Sequence, residues 1–390
     1  MEELTCYLPI KVVFGNGKLR ELGDYVKNYG DKAFLAIDPY LDKIGLGDEV
    51  IALLKKFSIE TIKYTDIEPN PVCFGADKAA QIAKKEGSQV VIGIGGGSTI
   101  DFAKGVAIIA THPGKCWDYT ERTDQEVLRP TDKTLPIIAI PTTAGTGSEV
   151  TLYAVFNNPQ IKEKSTIFSD KIFPKVTIVD PELMYSMPPR LTALTGIDAL
   201  SHAIESYINI HANSYSKMLA IESIKLVAEY LPVAVANGKN KEARGKMAWA
   251  STLAGMAIAH VGTVLPHALG QPVSGFCGAA HGGSIASCLA KVLEFSFTAD
   301  FSRFAEVAEA MDPAVKCLPL REKAEKSAKL VQRLLKDTNS EVTFSDFGLR
   351  EQDIDKVTNI ALTAYFMDIA NHPKQVTKED IQRLYRECMS

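Results

Sequence analysis

The sequence predicts an α/β N-terminal nucleotide-binding domain followed by an all-α C-terminal domain. In the first half, short apolar runs alternate with stretches whose apolar residues are spaced for one helical face, the pattern of a parallel sheet with crossover helices. Past Met187-Pro188-Pro189 the strand-like runs give way to long helical stretches, and neither proline continues a helix from the residue before it. A chain of 390 residues also exceeds what one core usually serves. We expect residues 1–185 to form the nucleotide-binding domain and 186–390 the helical one.

The strand candidates are residues 33–37, 89–94, 135–140 and 176–179, all apolar enough to be buried on both faces. Residues 18–29, 48–57, 72–86 and 99–110 read as the helices between them. In the second half, 191–208, 215–231 and 242–260 read as helices, and the charged stretch 323–336 as a solvated helix face. Residues 270–278 are rich in glycine and include Pro272, so this stretch is able to fold back.

Composition narrows the function classes. Hydrophobic residues make up 46% and charged residues 23%, ordinary values for a globular chain. A net charge of −4 gives no field to attract nucleic acid or an anionic membrane. No run approaches the roughly 20 apolar residues of a membrane span, and the first residues lack the pattern of a secretory signal. A cytoplasmic protein with small-molecule partners is the expectation. The seven cysteines are scattered and never form C-x-x-C, so buried or incidental thiols are expected.

Two segments carry a nucleotide signal. Val90 through Gly95 run from an apparent strand into Gly96-Gly97-Ser98 and then a helix, a junction whose free N–H groups and dipole favour an anion. The dinucleotide pattern G-x-G-x-x-G fails at Ser98, and the best strand-end acid, Asp38, precedes the glycines instead of following them. A rearranged nucleotide fold fits better. The alternative is a serine-capped turn at 95–98 and a simple Asp38-Pro39 turn. Pro141-Thr142-Thr143-Ala144-Gly145-Thr146-Gly147-Ser148-Glu149 joins hydroxyls to flexible backbone, either as a second phosphate loop or as a linker.

A metal signal lies in the second half. Asp198 and His202 are four apart in a helix and so share a face. A lone pair of this kind is more often a surface hydrogen bond. His267 and His281, however, flank the 270–278 stretch, which would bring both imidazoles together. One carboxylate and three imidazoles suit Fe²⁺ or Zn²⁺ better than Mg²⁺ or Ca²⁺. Four protein ligands would complete a tetrahedral zinc, and the need for a further position for substrate tilts the reading toward Fe²⁺. His112, His211, His260 and His372 read as structural or surface residues.

In this order the motifs resemble the iron-containing, or group III, alcohol dehydrogenases over nearly the whole chain. The shared features are Asp38, Glu68-Pro69-Asn70-Pro71, Gly95 to Ser98 with Asp101 and Ala103-Lys104, PTTAGTGSEVT from Pro141, Asp180-Pro181-Glu182-Leu183, Thr195 to Glu205, His267 and His281. The resemblance implies a dehydroquinate synthase-like fold, with metal ligands Asp198, His202, His267 and His281. It implies cofactor contacts at Asp38, Asn70, Gly96, Gly97, Ser98, Asp101, Thr142, Thr143, Thr146 and Lys164, with Leu183 near the nicotinamide. The implied activity is NAD(H)-linked interconversion of a small alcohol and its aldehyde, with Fe²⁺ or Zn²⁺, in a homodimer or larger homo-oligomer. Asp38 favours NAD over NADP, because its carboxylate bonds the ribose 2′-hydroxyl and repels a 2′-phosphate. In one departure, many relatives carry an active-site histidine where this chain has Gln271, an amide that cannot act as an acid or base near neutral pH. The runner-up is a dehydroquinate synthase-like lyase or cyclase, which needs a basic phosphate pocket; no Lys/Arg cluster adjoins the metal motifs.

Overall fold

A computed structural model describes residues 4–390. Two compact units result, one of residues 8–143 and 148–184, the other of the remaining chain including the short segment Ala144–Gly147. The expected architecture holds: the first unit is built on a parallel sheet and the second is helical.

Six strands form the sheet of the first unit: β1 (Lys11–Phe14), β2 (Lys32–Ile37), β3 (Glu60–Tyr64), β4 (Val90–Gly95), β5 (Ile137–Pro141) and β8 (Val176–Val179). Their spatial order is β1-β8-β5-β4-β2-β3, and every pairing is parallel. A separate antiparallel hairpin joins β6 (Tyr153–Asn158) to β7 (Glu163–Phe168). The helices of this unit are α1 (Leu22–Val26), α2 (Pro39–Lys43), α3 (Leu46–Lys55), α4 (Cys73–Lys85) and α5 (Gly97–Ile109).

Alternation along β2 shows how the sheet is covered. Ala33, Leu35 and Ile37 enter one core with Val50 and Leu54 of α3, whereas Phe34 and Ala36 enter the opposite core with Ala80 of α4 and Phe102 of α5. A strand buried on both faces needs an unbroken apolar run, which is why β2, β4 and β5 are legible in the sequence. Register matters more for function. Ile37 pairs with Ile94, and Gly95 with Pro141, so Asp38, Gly96 and Thr142 follow three adjacent strand ends.

The second unit contains α6 (Pro189–Ile208), α7 (Ser214–Ala236), α8 (Lys241–Val261), α9 (Leu265–Cys277), α10 (His281–Ser296), α11 (Phe301–Met311), α12 (Leu320–Asp337), α13 (Ile354–Ala364), α14 (Phe366–Ala370) and α15 (Lys378–Glu387). Pro188 and Pro189 start α6 at its N-cap and first turn, where proline costs no hydrogen bond. Nearly all of α6 is buried, and it packs against α7, α8 and α10. Residues 270–277 do not themselves fold back. They belong to α9, which accommodates Gly270 and Pro272 because α10, α13 and α14 pack around it. The chain reverses instead at Gly278, in the left-handed region with φ 70°.

No single helix among the described residues is long and apolar enough to cross a membrane; α8 and α9 meet length and composition limits only as a pair bent by 104°.

Candidate metal centre and cofactor loops

Asp198 and His202 occupy adjacent turns of α6, and both are buried. His267 lies in the first turn of α9, and His281 opens α10. The three Nε2 atoms surround one oxygen: Asp198 Oδ1 lies 3.9 Å from His202, 3.7 Å from His267 and 3.3 Å from His281. One ligand atom from each of the four residues falls within 4.8 Å of all the others. The structure thus brings all four expected ligands to one point. Gly282, next to His281, makes this possible, since a Cβ there would stand 2.4 Å from the Leu194 carbonyl oxygen of α6.

The donor set fits a divalent ion. Buried Asp198 Oδ1 has no hydrogen-bond donor, an arrangement that costs free energy unless a cation supplies the missing charge. Donors roughly 2.1 Å from a tetrahedral ion lie roughly 3.4 Å apart, close to the spacing here. Burial raises the Asp198 carboxyl, but the imidazoles of His281, His202 and His267 outweigh it and hold it well below the usual carboxylate range. Burial pushes His202 down to about 4 against the pull of Asp198, so its ring is neutral and has a lone pair at neutral pH.

Glu205, which closes the Thr195–Glu205 motif and had no expected role, orients this cluster. It is fully buried, three residues beyond His202 on the same helix. Its Oε1 accepts from His267 Nδ1 at 2.6 Å, leaving the Nε2 lone pair facing the cluster. Its Oε2 accepts from the Val264 N–H at 2.8 Å and the His267 N–H at 3.4 Å, and so caps α9, whose N-cap Val264 has no polar side chain. Burial pushes Glu205 up to about 7, while Ser201, the two N–H groups and His202 pull it down. Its spacing of i+7 from Asp198 and i+3 from His202 is the signal that could have revealed it. His202 is oriented by the backbone, with Nδ1 donating to the Gly145 carbonyl at 3.4 Å. A Cβ on Gly145 would stand 2.7 Å from Thr195, so only glycine brings that carbonyl so close to α6.

In the α/β unit, Asn70, Ser98 and Lys164 converge: the Asn70 N–H donates to Ser98 Oγ at 3.2 Å, and Lys164 Nζ to Asn70 Oδ1 at 3.0 Å. Asn70 has φ 55°, a left-handed conformation that asparagine tolerates better than most residues. Gly96 is the N-cap of α5, and the Thr142 N–H donates to the Gly95 carbonyl at 2.9 Å, so the two small-residue loops touch. Buried Asp101 accepts from Ser148 Oγ at 2.5 Å and the Val155 N–H at 3.0 Å. Asp38 caps α2, its Oδ1 accepting from Tyr40 and Leu41. Leu183 packs beside one of the sheet's cores, and Thr146 falls in the segment grouped with the helical unit. Gln271, one turn beyond His267, is buried with Oε1 unpartnered. Of the other histidines, His372 bonds Ser296, His112 bonds Thr131, and His260 Nδ1 bonds the Met256 carbonyl.

A parallel sheet with small-residue loops at its strand ends, and a helical unit with one carboxylate and three imidazoles around a point, are the features of a nucleotide- and metal-dependent enzyme. Comparison with known proteins specifies it. Residues 9–181 match the family described as iron-containing alcohol dehydrogenase, and residues 192–389 the C-terminal domain of the Fe-containing alcohol dehydrogenase family. The chain is 34% identical over 386 residues to the NAD-dependent methanol dehydrogenase of Bacillus methanolicus, covering 98% of this chain and 99% of the relative. It is 38% identical over 377 residues to long-chain-alcohol dehydrogenase 1 of Geobacillus thermodenitrificans, covering 96% and 94%. Among solved structures, the archaeal halo-thermophilic alcohol dehydrogenase ADH/D1 from a Red Sea brine pool superposes with a TM-score of 0.95 at 36% identity, over 100% of this chain and 99% of that one. The chain therefore belongs to the iron-containing alcohol dehydrogenase family. It is an alcohol oxidoreductase, and the lyase or cyclase alternative is not favoured.

Proposed function

We propose that the protein interconverts a small primary alcohol and its aldehyde with NAD(H), using a divalent ion, Fe²⁺ by preference and Zn²⁺ as the alternative, held by Asp198, His202, His267 and His281. The observation that carries this reading is the unpartnered buried Asp198 oxygen ringed by three imidazole nitrogens. Residues 1–185 would bind NAD through Asp38, Asn70, Gly96, Gly97, Ser98, Asp101, Thr142, Thr143, Thr146 and Lys164, with Leu183 at the nicotinamide. Residues 186–390 would hold the ion. A cytoplasmic homodimer or larger homo-oligomer is the assembly proposed.

An ion held by Asp198, His202, His267 and His281 would supply the Lewis acidity that lowers the pKa of an alcohol hydroxyl, and a bound nicotinamide would supply the hydride acceptor. The chain's own residues prepare for this. Glu205 keeps the proton of His267 on Nδ1, the Gly145 carbonyl does the same for His202, and Asp198 stays ionised. The Asn70–Ser98–Lys164 network fixes the glycine loop before a ligand arrives, with Lys164 adding positive charge where a pyrophosphate would need it.

Chelator-treated protein is expected to lose turnover in an NADH-absorbance assay against a panel of small aldehydes, including hydroxylated and anionic ones. Added Fe²⁺ or Zn²⁺ should restore it. Full activity in a sample shown by elemental analysis to be metal-free would refute the reading.

Asp38→Gly should erode the preference for NAD over NADP by about 10-fold or more, each tenfold representing about 1.4 kcal/mol. The ratio of kcat/KM for the two cofactors checks this, and an unchanged ratio would remove Asp38 from the cofactor site.

A further inference from the structure

Beside the metal cluster, one glutamine amide has its acceptor unused. Gln271 follows His267 by four residues on α9, so the two side chains share a face of the helix, with Cβ atoms about 5–6 Å apart. Helical side chains lean toward the N-terminus, which directs Gln271 back over the turn that carries His267. Gly270, on the same face, lets α10 come close: a Cβ there would stand 3.2 Å from the Ser284 carbonyl oxygen. Ser284 lies three residues beyond His281, so the face of α10 that meets α9 is the one carrying His281. Gln271 therefore stands beside two of the three imidazoles whose Nε2 atoms surround Asp198 Oδ1.

The surroundings of this amide suit a substrate contact. Gln271 is 6% exposed, and its Oε1 is fully enclosed with no hydrogen-bond donor among the described residues. An orphaned buried acceptor costs free energy, and a ligand that donates a hydrogen bond to it recovers that cost. The ligand group must be a donor. An anionic group would set oxygen lone pairs against Oε1, and no lysine or arginine is among the groups that act most on Asp198 or His202.

We propose that Gln271 selects alcohols and aldehydes that carry a hydroxyl on the carbon next to the reacting one, its Oε1 accepting the hydrogen bond of that hydroxyl. With the reacting oxygen at the metal point, a vicinal hydroxyl and one hydrogen bond of about 2.7 Å span the gap between neighbours on one helix face. A substrate without that hydroxyl leaves Oε1 orphaned in the complex. A site built to bond a substrate hydroxyl therefore discriminates more strongly than one built from apolar contacts alone. The amide exchanges no proton; it fixes which group of the substrate lies beside the reacting oxygen.

The inference rests on the proposed alcohol–aldehyde activity, and the test separates the two. Metal-loaded wild type, Gln271→Leu and Gln271→Glu are compared in the reduction of glycolaldehyde, acetaldehyde and glyoxylate, which share a chain length and differ in the group beside the aldehyde. NADH binding is measured on each. Wild type should favour glycolaldehyde over acetaldehyde by about 10-fold or more in kcat/KM. Gln271→Leu should bring that ratio near one, and Gln271→Glu, which keeps an acceptor at the same reach, should preserve it. Urea unfolding of the metal-free proteins supplies a readout independent of turnover: removing an orphaned acceptor should leave the Gln271→Leu midpoint at or above that of wild type. A wild-type ratio near one, a preference for glyoxylate, or a glycolaldehyde preference that survives in Gln271→Leu would overturn the selection and leave the alcohol–aldehyde reading intact. So would a destabilised or unfolded Gln271→Leu protein, which would make the amide structural, or a loss of NADH affinity with the ratio unchanged, which would make it a cofactor contact. A wild-type enzyme inactive on every small aldehyde would overturn the proposed function itself, and the selection with it.

Discussion

His267→Ala is expected to strip the ion and abolish turnover together, with Glu205→Gln producing a graded form of the same loss. A cation at the alcohol oxygen supplies several kcal/mol of transition-state stabilisation, so losing about 4 kcal/mol lowers kcat/KM about 1000-fold. Glu205→Gln tests the support behind the ligand. If the amide oxygen faces His267 Nδ1, its NH₂ opposes the Val264 N–H; if the amide is reversed, the NH₂ donates to Nδ1 and drives the ring proton to Nε2. Both arrangements spoil the ligand, and replacing such a partner usually costs 10- to 100-fold in metal affinity, so roughly that loss is expected here. Elemental analysis and competitive chelator titration give affinity, and steady-state rates give activity. A Glu205→Gln protein with wild-type affinity would reduce Glu205 to a helix cap.

What the sequence reveals follows from where each element lies. Strands β2, β4 and β5 are buried on both faces and read as apolar runs. Strands β1 and β3 lie at the sheet's edges and are partly exposed, so nothing in their composition separates them from loops, and the β6–β7 hairpin alternates too weakly to stand out. Local rules do not reveal α9, because Gly270 and Pro272 are strong breakers and only packing by neighbouring helices overrides them. In the metal cluster, the i, i+4 spacing of Asp198 and His202 is local and legible. The approach of His267 and His281 depends on tertiary packing, and only the ordered set of motifs points to it.

Lys104→Met should be among the most destabilising single substitutions in the α/β unit. Lys104 is fully buried in α5, the helix opened by the glycine loop. Its ammonium donates to the Ser148 carbonyl at 2.8 Å and hydroxyl at 3.1 Å, the Thr151 carbonyl at 3.0 Å and hydroxyl at 3.3 Å, and the Tyr153 carbonyl at 2.6 Å. Burial pushes its pKa down to about 8, with Asp101 and Glu149 holding it up. It thereby ties the helix behind one small-residue loop to the segment that follows the other. Methionine keeps the length and most of the volume, so a cavity does not explain the result. Three carbonyls lose a donor and Asp101 loses the cation that most favours its ionised form, and leaving buried polar groups and a buried charge uncompensated in this way costs about 3–5 kcal/mol. Urea unfolding should show a lower midpoint with an unchanged slope, because the surface exposed on unfolding barely changes. NADH binding should weaken in the same variant, since Asp101 and Ser148 are bonded to each other beside the loop. An unchanged midpoint would mean that water satisfies those acceptors and that the segment after residue 147 is held by something other than this lysine.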